Sequence, residues 1–241
     1  MIERIQAGRY GIDVLYEDNH LLVVVKPPNL PTQADSSGDD DLLSILKRHI
    51  GNKYQKPGNV YLGLVHRLDR PVGGAMVFAR TSKAAARLSA AFAAHAQDRR
   101  YLAVVRGAID GPRLLEDALV KDGATGMVRV AAPDTPGAKP ARLRTRPLGA
   151  RDGLTLTEVT LFTGRAHQIR VQHAHAGHPL WGDARYGDGR PGEQIALWAA
   201  ALGFDHPTRR EPMRFIVPPP GGGIWPRFNG EIENWLREND A

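Results

Sequence analysis

The chain has 241 residues, 42% of them hydrophobic, and its lysines and arginines exceed its aspartates and glutamates by 32 − 26 = +6. That length and apolar content can bury a core without staples, the basic balance suits a polyanionic partner such as nucleic acid, and the absence of cysteine excludes disulfides, thiolate nucleophiles and cysteine-ligated metal centres. The opening MIERIQAGRYGIDVLYEDNH scatters its charges and resembles neither a signal nor a transit peptide, and no stretch approaches the ~20 apolar residues of a membrane-spanning helix, so a cytoplasmic protein is expected.

Residues 13–26 read as two short strands, with a polar turn at 17–20 and then the run Leu21, Leu22, Val23, Val24, Val25. Pro27 and Pro28 end that strand. Residues 34–41 are small, polar and acidic, which predicts an exposed loop entering a helix over about 41–49. Residues 61–65 and 75–79 are apolar and flank HRLDRPVGG, so two strands are expected to present a loop rich in charge and glycine. Thr81 or Ser82 suits the cap of an alanine-rich helix with Leu88, Ala91, Phe92 and His95 on one face, packed on a sheet.

Residues 100–106 (RYLAVVR) read as a strand and 107–111 as a turn, while 131–141 (AAPDTPGAKPA) reads as a long hairpin loop. Strands are expected at 141–147 and 154–162. GRAHQIRVQHAHAG reads as a short helix closed by Gly177 at its C′ position. A strand or helix around 195–202, the run MRFIVPPP and a helix over 230–238 complete the chain. Strands outnumber helices and seldom alternate with them, so the predicted class is α+β rather than a doubly wound nucleotide-binding fold. With no internal repeat and no composition break, one domain over 1–241 is expected.

Two clusters stand out. His66, Arg67, Leu68, Asp69 and Arg70 lie between apolar strands, and flanking arginines favour an ionised carboxylate fit to act as nucleophile or base; a structural ion-pair corner has the same composition. Gly164, Arg165, Ala166, His167, Gln168, Ile169 and Arg170 place a glycine turn before a basic helix. His167 and Arg170, three apart, are expected to share a helix face from which Arg170 reaches a carboxylate; a solvated basic face reads the same way. Histidines 167, 173, 175 and 178 do not compose a recognised ligand spacing, so no metal is expected. Walker and dinucleotide fingerprints are missing, and Ser44, Ser82 and Ser89 lack a nucleophile-elbow context.

Taken together, YEDNHLLVVVKPPNLPTQ, HRLDRPVGGAMVFARTSKAA, RRYLAVVRG, GRAHQIRVQHAHAGHPLWGDARYG and FDHPTRREPMRF, in that order and over most of the chain, resemble the RluA-type RNA pseudouridine synthases. The resemblance implies a pseudouridine synthase fold: a mixed, mostly antiparallel central sheet in two halves, flanked by helices, with a basic active-site cleft. It implies that Asp69 is the catalytic aspartate, Tyr101 the ring that stacks on the target base, Arg170 the basic partner of the aspartate, and Arg67 the residue that fills the space of the flipped nucleotide. His66, Arg165, His167 and Gln168 are its further candidates for contact with substrate. Isomerisation of a uridine in ribosomal or transfer RNA consumes nothing, so no cofactor is expected, and the protein is expected to act as a monomer.

Two departures from the family pattern are Val72, Gly73, Gly74, where threonine or valine, serine and glycine are usual, and Ala166, where threonine or lysine is common. No RNA-binding domain is expected before the first motif. A non-catalytic RNA-binding protein is the rival reading, but a retired site has little reason to retain a carboxylate that repels phosphates. A hydrolase using Asp69 and a histidine lacks a second paired carboxylate, a metal set or an activated serine.

Overall fold

The computed structural model describes residues 3–94, 97–190 and 192–239. The chain divides into two compact units, Met1–Asp98 with Ala201–Val217, and Arg99–Ala200 with Pro218–Ala241.

The first unit opens with β1 (Glu3–Ala7), β2 (Tyr10–Glu17), β3 (Leu21–Lys26), α1 (Leu42–Lys53), β4 (Gly63–Leu64), β5 (Gly73–Ala79) and α2 (Ser82–Ala93). Antiparallel pairing runs β1–β2–β3–β5, and β4 also pairs with β5. Leu21 to Val24 and all of β5 are buried, so these strands read as continuous apolar runs rather than alternating ones. The turn before β3 is an Asx turn: Asp18 accepts from the N–H groups of His20 at 2.7 Å and Leu21 at 2.8 Å. Burial alone would raise the Asp18 carboxyl, but these donors together with His206 and Tyr16 outweigh it and hold it at about 2.

Both helices start where their sequences offer a cap. Asp41 accepts from Ser44 N–H at 3.0 Å, and Thr81 Oγ1 from Ala84 N–H at 3.2 Å. The face of α2 buries Ala84, Leu88 and Phe92, whereas Ala91 is only half-buried and His95 lies outside the described residues. α1 runs one turn beyond the predicted helix, and the strand expected at 61–65 shrinks to β4, because only Gly63 and Leu64 pair with β5.

The second unit contains β6 (Asp98–Arg106), whose first residue still belongs to the other unit, then β7 (Arg113–Lys121), β8 (Val128–Ala131), β9 (Lys139–Arg151), β10 (Leu154–Leu161), α3 (Gln168–His175) and the start of β11 (Leu197–Asp205). Residues 201–205 of β11 pair with β12 (Pro212–Ile216) in the first unit, and α4 (Asn229–Asn239) closes the second. Antiparallel pairing runs β6–β10–β9–β7–β8.

Alternation along β9 separates the two faces of this sheet. Ala141, Leu143 and Thr145 are buried on one, where Leu119, Val128, Ala141 and Val171 of α3 form a cluster, and Arg142 and Arg144 are exposed on the other. The C-terminal helix covers part of that second face: Trp235, 1% exposed, donates its indole N–H to Glu158 of β10. The loop expected over 131–141 is shorter, because Lys139 and Pro140 already pair with Leu119 and Ala118 of β7. The class is α+β with a mixed, mostly antiparallel sheet and four α-helices among the described residues. No helix among them is long and apolar enough to cross a membrane.

Candidate functional site

In the first unit, Asp69 stands in the loop between β4 and β5, and its carbonyl accepts from Val72 N–H at 3.0 Å to form a tight turn. This loop is held from beneath by groups that bind its backbone. Lys26, fully buried at the end of β3, donates to the carbonyls of Arg70 at 3.0 Å and Val72 at 2.7 Å, and to its neighbour Pro27 at 3.1 Å. Thr32 donates to the Leu68 carbonyl at 2.8 Å, and Leu68 is itself buried. Burial pushes the Lys26 ammonium down to about 7, against the pull of the nearby Asp69 charge.

His66 anchors the other end of the loop. Its Nε2 accepts from Val77 N–H of β5 at 3.1 Å, and its ring stacks on Phe92 of α2 with centroids 4.7 Å apart. Accepting at Nε2 makes it a neutral ring with the proton on Nδ1. Arg67 is exposed and Asp69 half-exposed. Arg70 turns toward the acidic loop, donating to Ser37 at 3.1 Å and pairing with Asp39 and, at 3.7 Å, Asp35. The guanidinium that follows Asp69 in sequence is therefore engaged by the loop over 35–39.

In the second unit the 163–170 segment is equally ordered. Gln168 accepts from Thr163 Oγ1 at 2.8 Å and Arg165 N–H at 3.0 Å and donates to Gln172 at 3.0 Å, which donates on to Asp117 at 2.7 Å. The Gln168 amide thus closes the turn into α3. Arg165 donates its Nε to the Pro140 carbonyl at 2.9 Å, and Ala166 is exposed.

His167 does not share a helix face with Arg170. It is the N-cap, with φ at 52°, outside the regular turns, and its side chain makes no capping bond. The two side chains nevertheless converge on Tyr186: His167 Nδ1 lies 2.6 Å from its hydroxyl and the Arg170 guanidinium 5.1 Å from its ring centroid. Arg170 is buried and gripped by Asp183 in a two-pronged pair, Nε to Oδ2 at 2.8 Å and Nη2 to Oδ1 at 2.7 Å. Burial alone would raise the Asp183 carboxyl, but Arg170 and the N–H groups of Arg185 and Tyr186 outweigh it and lower it.

Tyr101 lies in β6 opposite Val159, 7% exposed, on the face that also carries Thr145. The histidines 167, 173, 175 and 178 have separate environments. His173 lies between the Ile169 carbonyl at 2.8 Å and Thr145 Oγ1 at 3.3 Å, and burial, against the pull of the Ile169 bond, pushes its ring down to about 4 and keeps it neutral. His178 faces the Arg106 carbonyl at 2.9 Å, and His175 is exposed in the last turn of α3. Among the described residues, Glu3, Glu17 and His49 come close enough to share an ion, but Lys53 already meets both carboxylates, at 2.5 and 2.7 Å, and Arg80 meets Glu17 at 2.8 Å.

Sequence reasoning did not single out Lys26, Thr32, Asp183 or Tyr186. Asp183 carried a signal: it sits in GDARYG behind Gly182, at φ +72°, where a Cβ would collide with the Gln194 carbonyl. Lys26 carried almost none, since a lysine ending a strand reads as a solvent-facing charge.

Residues 20–175 match the family model described as RNA pseudouridylate synthase. The chain is 34% identical over 219 residues to a ribosomal large subunit pseudouridine synthase D of Zymomonas mobilis, covering 85% of this chain and 68% of that protein. It is 31% identical to a ribosomal large subunit pseudouridine synthase C of Vibrio vulnificus, covering 85% of this chain and 65% of that one, and so spans about two thirds of the length of these relatives. It is 35% identical to an RNA pseudouridine synthase of Bacillus subtilis, covering 90% and 76%. Among solved structures, human RNA pseudouridylate synthase domain containing 4 superposes with a TM-score of 0.72 at 21% identity, covering 93% of this chain and 92% of that one, and shares the fold. The family model and the relatives across most of the chain agree with the motif order: the chain belongs to the RNA pseudouridylate synthase family of RNA-modifying isomerases.

Proposed function

We propose that this protein isomerises a specific uridine of large-subunit ribosomal RNA to pseudouridine, with Asp69 as the catalytic carboxylate, Tyr101 as the ring against the extruded base and Arg170 as the basic partner of Asp69. The observation that carries the reading is the way the Asp69 loop is built. Lys26 and Thr32 fix its backbone from buried positions and His66 ties its start to β5, while the Asp69 side chain stays half-exposed. A loop so held presents one carboxylate at a fixed place, which covalent or proton-transfer chemistry at a sugar carbon requires. The ribosomal substrate is supported by what the relatives from Zymomonas and Vibrio are named for.

In this reading the uridine leaves the RNA stack, Arg67 takes its place, and the ring of Tyr101 holds the base flat. The carboxylate attacks the anomeric carbon or removes the proton of the neighbouring sugar carbon. In either route the bond from N1 to the anomeric carbon breaks; the detached uracil turns and rejoins through carbon 5, which loses its proton while N1 gains one, so the product is an isomer with no net redox change. Arg170, locked by Asp183, supplies a guanidinium held in one fixed place. We propose that a single catalytic domain, acting as a monomer in the cytoplasm, suffices.

Incubating the purified protein with unmodified transcripts of large-subunit ribosomal RNA and of transfer RNA, and mapping pseudouridine in each, tests this. Conversion at one or a few defined positions is the expected result. Pseudouridine confined to transfer RNA would move the substrate, and none in either RNA would overturn the reading.

A further inference from the structure

The face of the second unit's sheet that lies opposite Tyr101 carries a basic ladder that the reaction does not use. Cross-strand partners point to the same side of a sheet and successive residues to opposite sides. Tyr101, Val159 and Thr145 form one cross-strand row, so the adjoining row Arg100, Thr160, Arg144 and Leu114 faces the other way. Beyond it lie Arg142 and Glu116, paired in register, and on the side toward α4 lie Arg146 and Glu158. Arg142, Arg144 and Arg146 thus stand on one strand and one face, about 7 Å apart in turn.

The neighbours of these arginines set their availability. Arg146 and Arg100 approach the buried Glu158 at 3.4 and 3.8 Å, next to α4. Arg142 pairs with Glu116 at 3.1 Å, both more than half exposed, which is a weakly stabilising contact, and its guanidinium lies 5.2 Å from the ring centroid of Phe162. Arg144, at the centre, is exposed, and its side chain makes no ion pair or hydrogen bond among the described residues. Leu114 and Phe162 beside it are 45% and 37% exposed. Guanidinium groups repeating at roughly the separation of successive phosphates, with an aromatic ring and an apolar side chain on the strands beside them, match the chemistry of a nucleic-acid strand.

We propose that this face is a second RNA-contact surface, which binds the sugar–phosphate backbone of the RNA substrate away from the modified nucleotide. The inference rests on the chain's acting on RNA and deepens that reading: it assigns part of the affinity to the sheet face opposite Tyr101. Arg144 is its central contact, flanked by Arg142 and Phe162.

The test compares parent, Arg144→Ala, Arg144→Glu and Arg142→Ala for binding to deproteinised large-subunit ribosomal RNA across a salt series, with melting temperature as the control for folding. Arg144→Ala should lower the slope of log affinity against log salt by about one, and Arg144→Glu should weaken binding about tenfold or more at low salt. Arg142→Ala, at a second exposed position, should weaken binding in the same direction. Affinities and slopes equal to the parent's in all folded variants would overturn the proposal. So would a parent dimer that Arg144→Glu dissociates in sedimentation, because the face would then belong to a second copy of the chain. Pseudouridine formation is followed in the same samples: a parent that binds without forming pseudouridine defeats the proposed reaction, whereas an active parent whose Arg144 variants bind as it does defeats only the ladder.

Discussion

The Asp69 loop and the start of α3 solve the same problem in opposite ways. In the loop, Lys26 and Thr32 bind backbone carbonyls and the carboxylate side chain is left half-exposed. At α3 the side chain itself is fixed: Arg170 is buried, forked onto Asp183 and laid against Tyr186. In the proposed reaction Asp69 forms and breaks bonds with substrate, which needs a rigid backbone and an accessible side chain, whereas Arg170 supplies only charge, which needs immobilisation. The comparison also assigns the costs: losing a support of Arg170 strands a buried charge, and losing a support of the loop strands buried carbonyls.

That difference can be broken in order of expected effect on stability. Asp183→Ala leaves the buried Arg170 without its carboxylate and should cost about 3–5 kcal/mol in chemical denaturation; a loss below ~1 kcal/mol would show that the fork is dispensable. The buried, neutral His173 comes next. Its folded value of about 4 lies below the ordinary 6.5, so between those values the unfolded chain binds the extra proton and stability falls as pH falls. The loss across that window should be on the order of 3 kcal/mol, and His173→Gln should flatten the profile there.

Lys26→Met should cost about 1–3 kcal/mol, because the carbonyls of Pro27, Arg70 and Val72 lose their donor while removal of a buried charge offsets part of the loss. It should also slow turnover about tenfold as the Asp69 turn loosens; unchanged turnover would mean that the loop holds its shape without the lysine. Thr32→Val, which removes one donor to the Leu68 carbonyl, should cost only about 1 kcal/mol, and an urea titration resolves an effect of that size.

Much of this arrangement is legible in the sequence where local chemistry dictates local structure. The apolar run of β3, the cap Thr81 and Gly177 stand where the residues imply. At Gly177, φ is +82° and the bonds Gly177 N–H to Ala174 and His178 N–H to His173 complete a helix-ending motif. β7 and β8 were not legible: β7 has one fully buried residue, so it lacks apolar alternation, and its pairing with β8 and β9 defines it. The fork from Arg170 to Asp183 spans 13 residues and depends on a glycine-enabled turn between them, and Lys26 is buried only because distant carbonyls gather around its end. Such contacts are set by the fold and not by spacing along the chain. His167, placed on the helix by periodicity, lies outside it because residues ahead of Gln168 turn through a left-handed conformation.

The central claim is that the Asp69 carboxylate performs chemistry and does not hold the fold together. Single-turnover formation of pseudouridine on unmodified large-subunit ribosomal RNA by Asp69→Asn, measured beside its melting temperature, tests it most directly. The account predicts a rate at least about a thousandfold below the parent's, with a melting point within about 2 °C. A variant that converts the RNA at the parental rate would contradict it.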